Sequence, residues 1–311
     1  MYLSFFGLAE NPFSLAPDPR YLFMGASHRD ALAQLEARRG IAVLTGEAGT
    51  GKTLLLLALR DRLDADTAVA YAFNTTLPFE GIVEFLLEDL GIAKPEESPA
   101  RRLTALNSFL SERERAGQST TLIVDEAQSL DALTLAQLGM LANLESATTS
   151  KRLQILLVGP LELEARLDHP DLQHLHDSIG VRCRIRPLDA GEVQEYIHNR
   201  LQVAGAPDPG LFSKRAIRRI TQYSGGVPRV INILSDHCLL FAYADHKRRV
   251  DRHITNRAIA YLENGSRAPR PKLSIDGSGS PGRRRRILKI AGIALVSALA
   301  GFALSLLSGR P

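Results

Sequence analysis

Cysteine is scarce in this chain. Cys183 and Cys238 are the only two among 311 residues, and they lie far apart. That excludes a disulfide scaffold and a Cys-rich zinc site. Residues 1–13 hold no basic cluster and no long apolar stretch, so no secretory signal is visible there. Both thiols are therefore expected free, in a reducing compartment. No internal repeat, Ser-His-Asp set or Cys-His pair stands out. His169, His174 and His176 lack the carboxylate-backed spacing of a metal site and read as a solvated face. A large excess of charge is also missing: the net value is +4 with 45% hydrophobic residues. A wholly disordered chain is thereby excluded, and the length suggests roughly two domains.

The small positive excess has a location. Residues 267–311 carry +8 and residues 1–266 carry −4. The basic tail is therefore not a nucleic-acid surface on the folded part, and nucleic acid is not an expected partner. Residues 265–286 are rich in Gly, Ser, Pro and Arg and read as a flexible linker. Residues 287–307 hold one charge, Lys289, and residues 290–307 hold none. A helix over that run spans about 31 Å, enough to cross a bilayer. Arg283, Arg284, Arg285 and Arg286 flank it on the N-terminal side. The expectation is a single-pass membrane helix with everything before it in the cytoplasm.

Five apolar runs read as strands: 41–45, 69–73, 121–124, 153–158 and 181–185, the last alternating with Arg. Helical patterns lie between them, for example at 54–63 and 82–90. Strands and helices in alternation predict a parallel sheet covered on both faces. After Leu188 the strands stop. Segments 190–204, 213–223, 228–244 and 251–263 read as helices. The expected blocks are an α/β core at 1–188, an all-helical domain at 189–264, the linker at 265–286 and the membrane helix at 287–307.

Gly46-Glu47-Ala48-Gly49-Thr50-Gly51-Lys52-Thr53 fits G-x-x-x-x-G-K-[ST] at every fixed position. A strand-like run precedes it and a Leu-rich helix opening at Leu54 follows. Glycines let backbone N–H groups close around phosphate, and the helix N-terminus adds positive potential. Lys52 is placed to reach the β- and γ-phosphates and Thr53 to ligate Mg²⁺. About 70 residues on, Asp125 ends an apolar run as the second Mg²⁺ residue, and Glu126 follows as the carboxylate that polarises water. No guanine-reading Asn-Lys-x-Asp motif is present, so ATP is the expected nucleotide.

These residues resemble the ExeA/GspA family of AAA-type ATPases and the related MshM-type ATPases of pilus biogenesis, over roughly residues 1–264. The similarity runs through Tyr2-Leu3-Ser4-Phe5-Phe6-Gly7-Leu8, Asn11-Pro12-Phe13-Ser14-Leu15, Pro17-Asp18-Pro19 and Ser27-His28-Arg29-Asp30-Ala31-Leu32. It continues in Asp125-Glu126-Ala127-Gln128, Arg186-Pro187-Leu188, Tyr196-Ile197 and Arg200-Leu201. It closes with Ser224-Gly225-Gly226-Val227-Pro228-Arg229-Val230-Ile231-Asn232. The resemblance implies a P-loop fold with strand order 5-1-4-3-2, a helical lid, and oligomers that act in cell-envelope assembly. It implies that Arg229 reaches the γ-phosphate from the lid. Pro12, Phe13 and Tyr21 would lie near the base or pack elsewhere in the core.

Two departures matter. The family usually has Gln after Gly at the end of its fourth strand, where this chain has Pro160, and Arg before its fifth strand, where this chain has Ser178. Slow hydrolysis and a switch-like use of ATP are expected from those losses. Residues 308–311 leave no basis for carrying over the family's periplasmic peptidoglycan-binding domain. The leading expectation is an ATPase anchored in a bacterial inner membrane that assists secretion or pilus machinery, as a homo-oligomer beside an inner-membrane component. The alternatives are a DNA-dependent AAA-type regulator, as in transposition targeting, and a nucleotide-gated scaffold.

Overall fold

In the computed structural model the described residues are 2–37, 40–72, 77–92, 98–142 and 153–264. All five expected strands are present: β1 (Ile41–Gly46), β2 (Ala68–Ala72), β3 (Thr120–Val124), β4 (Leu153–Gly159) and β5 (Ile179–Ile185). They form one parallel sheet in the order β2-β3-β4-β1-β5, the expected 5-1-4-3-2 read from the other edge. Phe73, the last residue of the second predicted run, lies outside the described residues. So do the predicted linker and membrane helix. Among the described residues no helix is long and apolar enough to cross a membrane.

The burial of β1 shows why near-continuous apolar runs mark the central strands. All six of its residues are buried. Ile41 and Val43 join one apolar layer, and Ala42 and Leu44 join the other, because successive side chains point to opposite faces. The first layer is closed by α4 (Phe79–Asp89), α5 (Pro99–Arg115), α6 (Ala132–Ala142), α7 (Glu162–Leu167) and α8 (Gln173–Ser178). The second is closed by α2 (Ala26–Glu36) and α3 (Lys52–Arg62). β5 lies at an edge, so Cys183 and Ile185 are buried while Arg182 and Arg184 are exposed. Charge on an edge strand discourages pairing with a foreign strand. Both cysteines are free and buried, and burial pushes the Cys238 thiol up to about 12.

The four later helices are α9 (Ala190–Val203), α10 (Lys214–Ser224), α11 (Pro228–Ala244) and α12 (Arg252–Asn264). They share one apolar core with Phe6, Leu8 and Phe13 from the start of the chain, and α1 (Tyr2–Phe6) lies against α11. Phe13 thus packs in the helical core, edge-on to Phe212 at 5.8 Å. The turns between these helices are coded locally. Asp189 and Glu192 form a reciprocal capping box on α9. Ser213 caps α10, Gly225 ends it in the left-handed region, and Pro228 opens α11.

Two contacts set the helical layer against the sheet. Leu188 N–H donates to the Gly226 carbonyl at 2.9 Å. Gly226 has φ +82°, and a Cβ on it would stand 2.0 Å from the Leu188 oxygen. The second contact runs through α2. Glu192 Oε1 accepts the Ala26 N–H at 2.6 Å. In the same turn, buried His28 holds Nε2 at 2.9 Å from the carbonyl of Thr50. A carbonyl only accepts, so Nε2 carries the hydrogen. Nδ1 is buried and has no partner among the described residues. Burial holds the His28 pKa below its ordinary value of 6.5.

Two outcomes follow. Gly226→Ala lowers the unfolding free energy in urea titration by about 3 kcal/mol, through clash and strain together. Gly225→Ala, whose Cβ meets nothing within 4 Å, costs about 1 kcal/mol for its left-handed backbone alone. Burial makes His28 harder to protonate when folded, so the unfolded chain takes up its proton more readily. Its contribution to stability is whole above pH 6.5, and falls as the pH drops through the depressed folded-state value. The slope of stability between pH 6.5 and 5 is therefore shallower in His28→Gln than in the parent chain.

Candidate nucleotide-binding site

The C-terminal ends of β1, β3 and β4 open into a cleft of about 440 Å³ beneath α9 and α11. β1 ends at Gly46, and the loop from Glu47 to Gly51 leads directly into α3. Gly49 at φ +83° and Gly51 at φ +100° supply the left-handed turns that only glycine takes freely. Thr50 Oγ1 donates to the Glu47 carbonyl at 2.8 Å and closes the loop on itself. Lys52 Nζ donates to the carbonyls of Gly46 at 2.8 Å and Glu47 at 3.1 Å. Its pKa is lowered by burial, a shift that the carboxylates of Glu126, Asp125 and Glu162 oppose. Ala48, Gly49, Gly51, Lys52, Thr53 and Leu54 all line the cleft; Gly46, Glu47 and Thr50 form the loop's backbone behind them.

β3 carries the acidic pair. Its five residues are buried, and Asp125 emerges at the end, 7% exposed. Asp125 N–H continues the sheet by donating to Ala72 at 2.8 Å. Asp125 Oδ1 accepts the Glu126 N–H at 2.9 Å. Oδ2 accepts the Tyr71 hydroxyl at 2.9 Å and lies 3.4 Å from Thr53 Oγ1. The sequence-predicted metal residues, 72 positions apart, are thus neighbours. A hydroxyl on the cleft wall with a carboxylate next to it offers the hard oxygen donors that suit magnesium. Glu126 turns at φ +55° and projects into the same cleft, where Gln128 Nε2 donates to its Oε2 at 2.6 Å.

The helical layer supplies the opposite wall. Arg229 N–H donates to the Gly49 carbonyl at 3.2 Å. A Cβ on Gly49 would stand 2.5 Å from Arg229 Cβ, so Gly49 is bare where the lid residue rests. Arg229 itself lies on the cleft wall with an exposed side chain. The structure therefore brings Lys52, Thr53, Glu126 and Arg229 to one cleft, with the buried Asp125 directly behind Thr53. Pro160 lines it too, while Ser178 caps the end of α8 by donating to His174 O at 2.8 Å. Arg182 is tied to Glu164 and Asp168 at the sheet edge.

Sequence reasoning passed over two residues. Tyr71 reads as one more apolar residue of β2, yet its hydroxyl holds Asp125, and burial followed by the Asp125 charge raises its pKa. Arg200 was visible only as part of a family pattern. It is 4% exposed, donates to the carbonyls of Pro12 and Ser14 and to the Tyr196 hydroxyl, and stacks on the Tyr21 ring at 4.5 Å. Tyr196 in turn donates to Asn232 Oδ1 at 2.9 Å. This network ties the N-terminal segment to α9, so Ser14, Leu15, Ala16 and Pro17 form the cleft's rim in place of Pro12 and Phe13. Tyr21 lines a small adjoining hollow with Leu54 and Tyr196.

Comparison with known proteins agrees with this geometry. A family model described as an AAA domain matches residues 35–167. General secretion pathway protein A of Aeromonas hydrophila is 36% identical over 255 residues, covering 80% of this chain and 46% of that protein. The chain thus spans about half the length of that relative. Among solved structures, Cdc6p of Pyrobaculum aerophilum superposes with a TM-score of 0.64 at 17% identity, over 82% of this chain and 72% of that one. The Aeropyrum pernix ORC2 protein gives 0.61 at 16% identity, over 84% and 73%. At such identities these two show the shared fold alone. Fold, phosphate loop and the alignment with the secretion protein together place the chain in the ExeA/GspA-like family of AAA-type P-loop ATPases.

Proposed function

We propose that this protein binds ATP with Mg²⁺ in the cleft, hydrolyses it slowly, and passes the state of the nucleotide to its helical lid. The observation that carries this reading is the convergence of Lys52, Thr53 and Glu126 on one cleft, with Asp125 beside Thr53 and Arg229 on the lid wall. Loop N–H groups and the Lys52 ammonium would hold the phosphates. Thr53 and Asp125 would hold the metal, which when bound neutralises phosphate charge. Glu126 would take a proton from water as the water oxygen bonds to the γ-phosphorus; the bond to the ADP oxygen breaks, and ADP leaves with the electron pair. Arg229 would meet the γ-phosphate from the lid, so loss of that group changes how the lid is held.

The slow-turnover part rests on Pro160 and Ser178, which bring neither an amide nor a cation to the site. The client of the reaction is read from the relative's name: a general secretion pathway protein points to work on a secretion assembly, and the family resemblance in the sequence adds pilus assembly and action as a homo-oligomer to the proposal. Composition supports an inner-membrane anchor, through the uncharged run 290–307 and the four arginines before it.

Purified protein tests the chemistry. Glu126→Gln is expected to keep ATP affinity while losing about 100-fold or more in single-turnover hydrolysis. Lys52→Ala is expected to lose nucleotide binding itself. Parent turnover is expected well below about 10 s⁻¹, the median for enzymes; a value at or above it contradicts the switch reading.

A further inference from the structure

We infer that Gln128 is a positioning residue for hydrolysis, holding one oxygen of Glu126 so that the other faces the cleft as the proton acceptor. The inference rests on the proposed role of Glu126. Three observations carry it. Gln128 Nε2 donates to Glu126 Oε2 at 2.6 Å, a short charge-assisted bond. At its other end, Gln128 Oε1 is buried with no partner among the described residues. That oxygen lies 2.8 Å from where a Cβ on Gly159 would stand, against the end of β4.

The orientation of this amide is set by charge. Turned by 180°, the amide would put its oxygen against the carboxylate, so the NH₂ faces Glu126 and the oxygen is left buried and unpaired. An unpaired buried acceptor costs free energy, and Leu at this position would avoid that cost. Fold stability is therefore not what asks for Gln here.

The turn that carries Gln128 does not need its side chain either. Ser129 N–H donates to Glu126 O at 2.9 Å and Leu130 N–H to Ala127 O at 3.2 Å. Arg166 from α7 holds the carbonyls of Gln128 and Leu130. The main chain is fixed from outside, which leaves the amide free to serve the carboxylate.

Glu126 has reason to need it. Its side chain is exposed, and its left-handed backbone lifts it away from β3. Without a tether the carboxylate samples many rotamers. With Oε2 held, Oε1 is the atom left to accept the proton from water. Pro160, on the same wall of the cleft, has no N–H and no polar side chain to do this. The side-chain amide that reaches Glu126 comes from Gln128, in the turn after β3, with its oxygen against the end of β4.

The test is a double-mutant cycle in the full chain, read by ATP affinity, melting temperature and single-turnover hydrolysis. Gln128→Leu is expected to lower the hydrolytic rate about 10- to 100-fold, the range of one charge-assisted hydrogen bond. ATP affinity should stay within about twofold and the melting temperature should not fall. In a Glu126→Gln background the same change should cost nothing further, because the group it positions is gone. An unchanged rate in Gln128→Leu overturns the inference, as does an equal further loss in the Glu126→Gln background. If Glu126→Gln alone leaves hydrolysis intact, the reading of Glu126 fails first, and that outcome is distinct from the other two.

Discussion

Two successive carbonyls of the phosphate loop fix the site against the layers around it. Gly49 accepts from the backbone of Arg229 on α11, and Thr50 accepts from the side chain of His28 on α2. A glycine-rich loop has few side chains of its own to fix it, so its shape is set by what its backbone meets. Here it meets the lid on one side and the second helical layer on the other. Glu192 links those two supports, since it caps α9 and also accepts from the start of α2. A nucleotide that rearranges the loop must therefore disturb both contacts. Under the proposed function the lid would then report on the cleft, and the buried His28 has a structural purpose.

Charge is distributed around this frame with the same economy. The acidic pair at the end of β3 faces the half-buried Lys52 across the cleft, and the lysine's desolvation is opposed by those carboxylates. Tyr71 and Thr53 share one oxygen of Asp125, while the Glu126 amide holds the other. Arg200 brings a second guanidinium to the cleft wall, hydrogen-bonded to neutral oxygens and stacked on Tyr21, with the Asp18 carboxylate near enough to feel its charge. Its bonds serve the N-terminal segment, and the exposed Arg229 is left as the lid cation nearest the loop.

The parts of this site that were legible in the sequence are those where chemistry forces a residue type. A loop that turns twice through left-handed conformations needs glycines, so Gly49 and Gly51 announce it. A strand buried on both faces needs an unbroken apolar run, so β1, β3 and β4 could be read to within two residues. β5 begins two residues earlier than its alternating pattern suggests, because the ladder slips between Ile41 and Ala42, where the pairing jumps from Ile179 to Val181. Hydroxyls and amides that act over long sequence distances were silent. Nothing in the neighbourhood of Tyr71 marks it as the partner of Asp125, and Gln128 gains meaning only once the turn folds back and β4 arrives beside it. The same holds for Phe13, whose place in the helical core depends on Phe212, far along the chain.

The measurement that tests this account most directly is amide hydrogen exchange across residues 47–51 and 227–231, with and without ATP and Mg²⁺. If the loop and the start of α11 respond as one unit through the Arg229–Gly49 bond, both segments change protection together, and Arg229→Ala weakens the response at the lid. Protection that grows in the loop while the lid segment stays unchanged would contradict the coupling on which the proposed function depends.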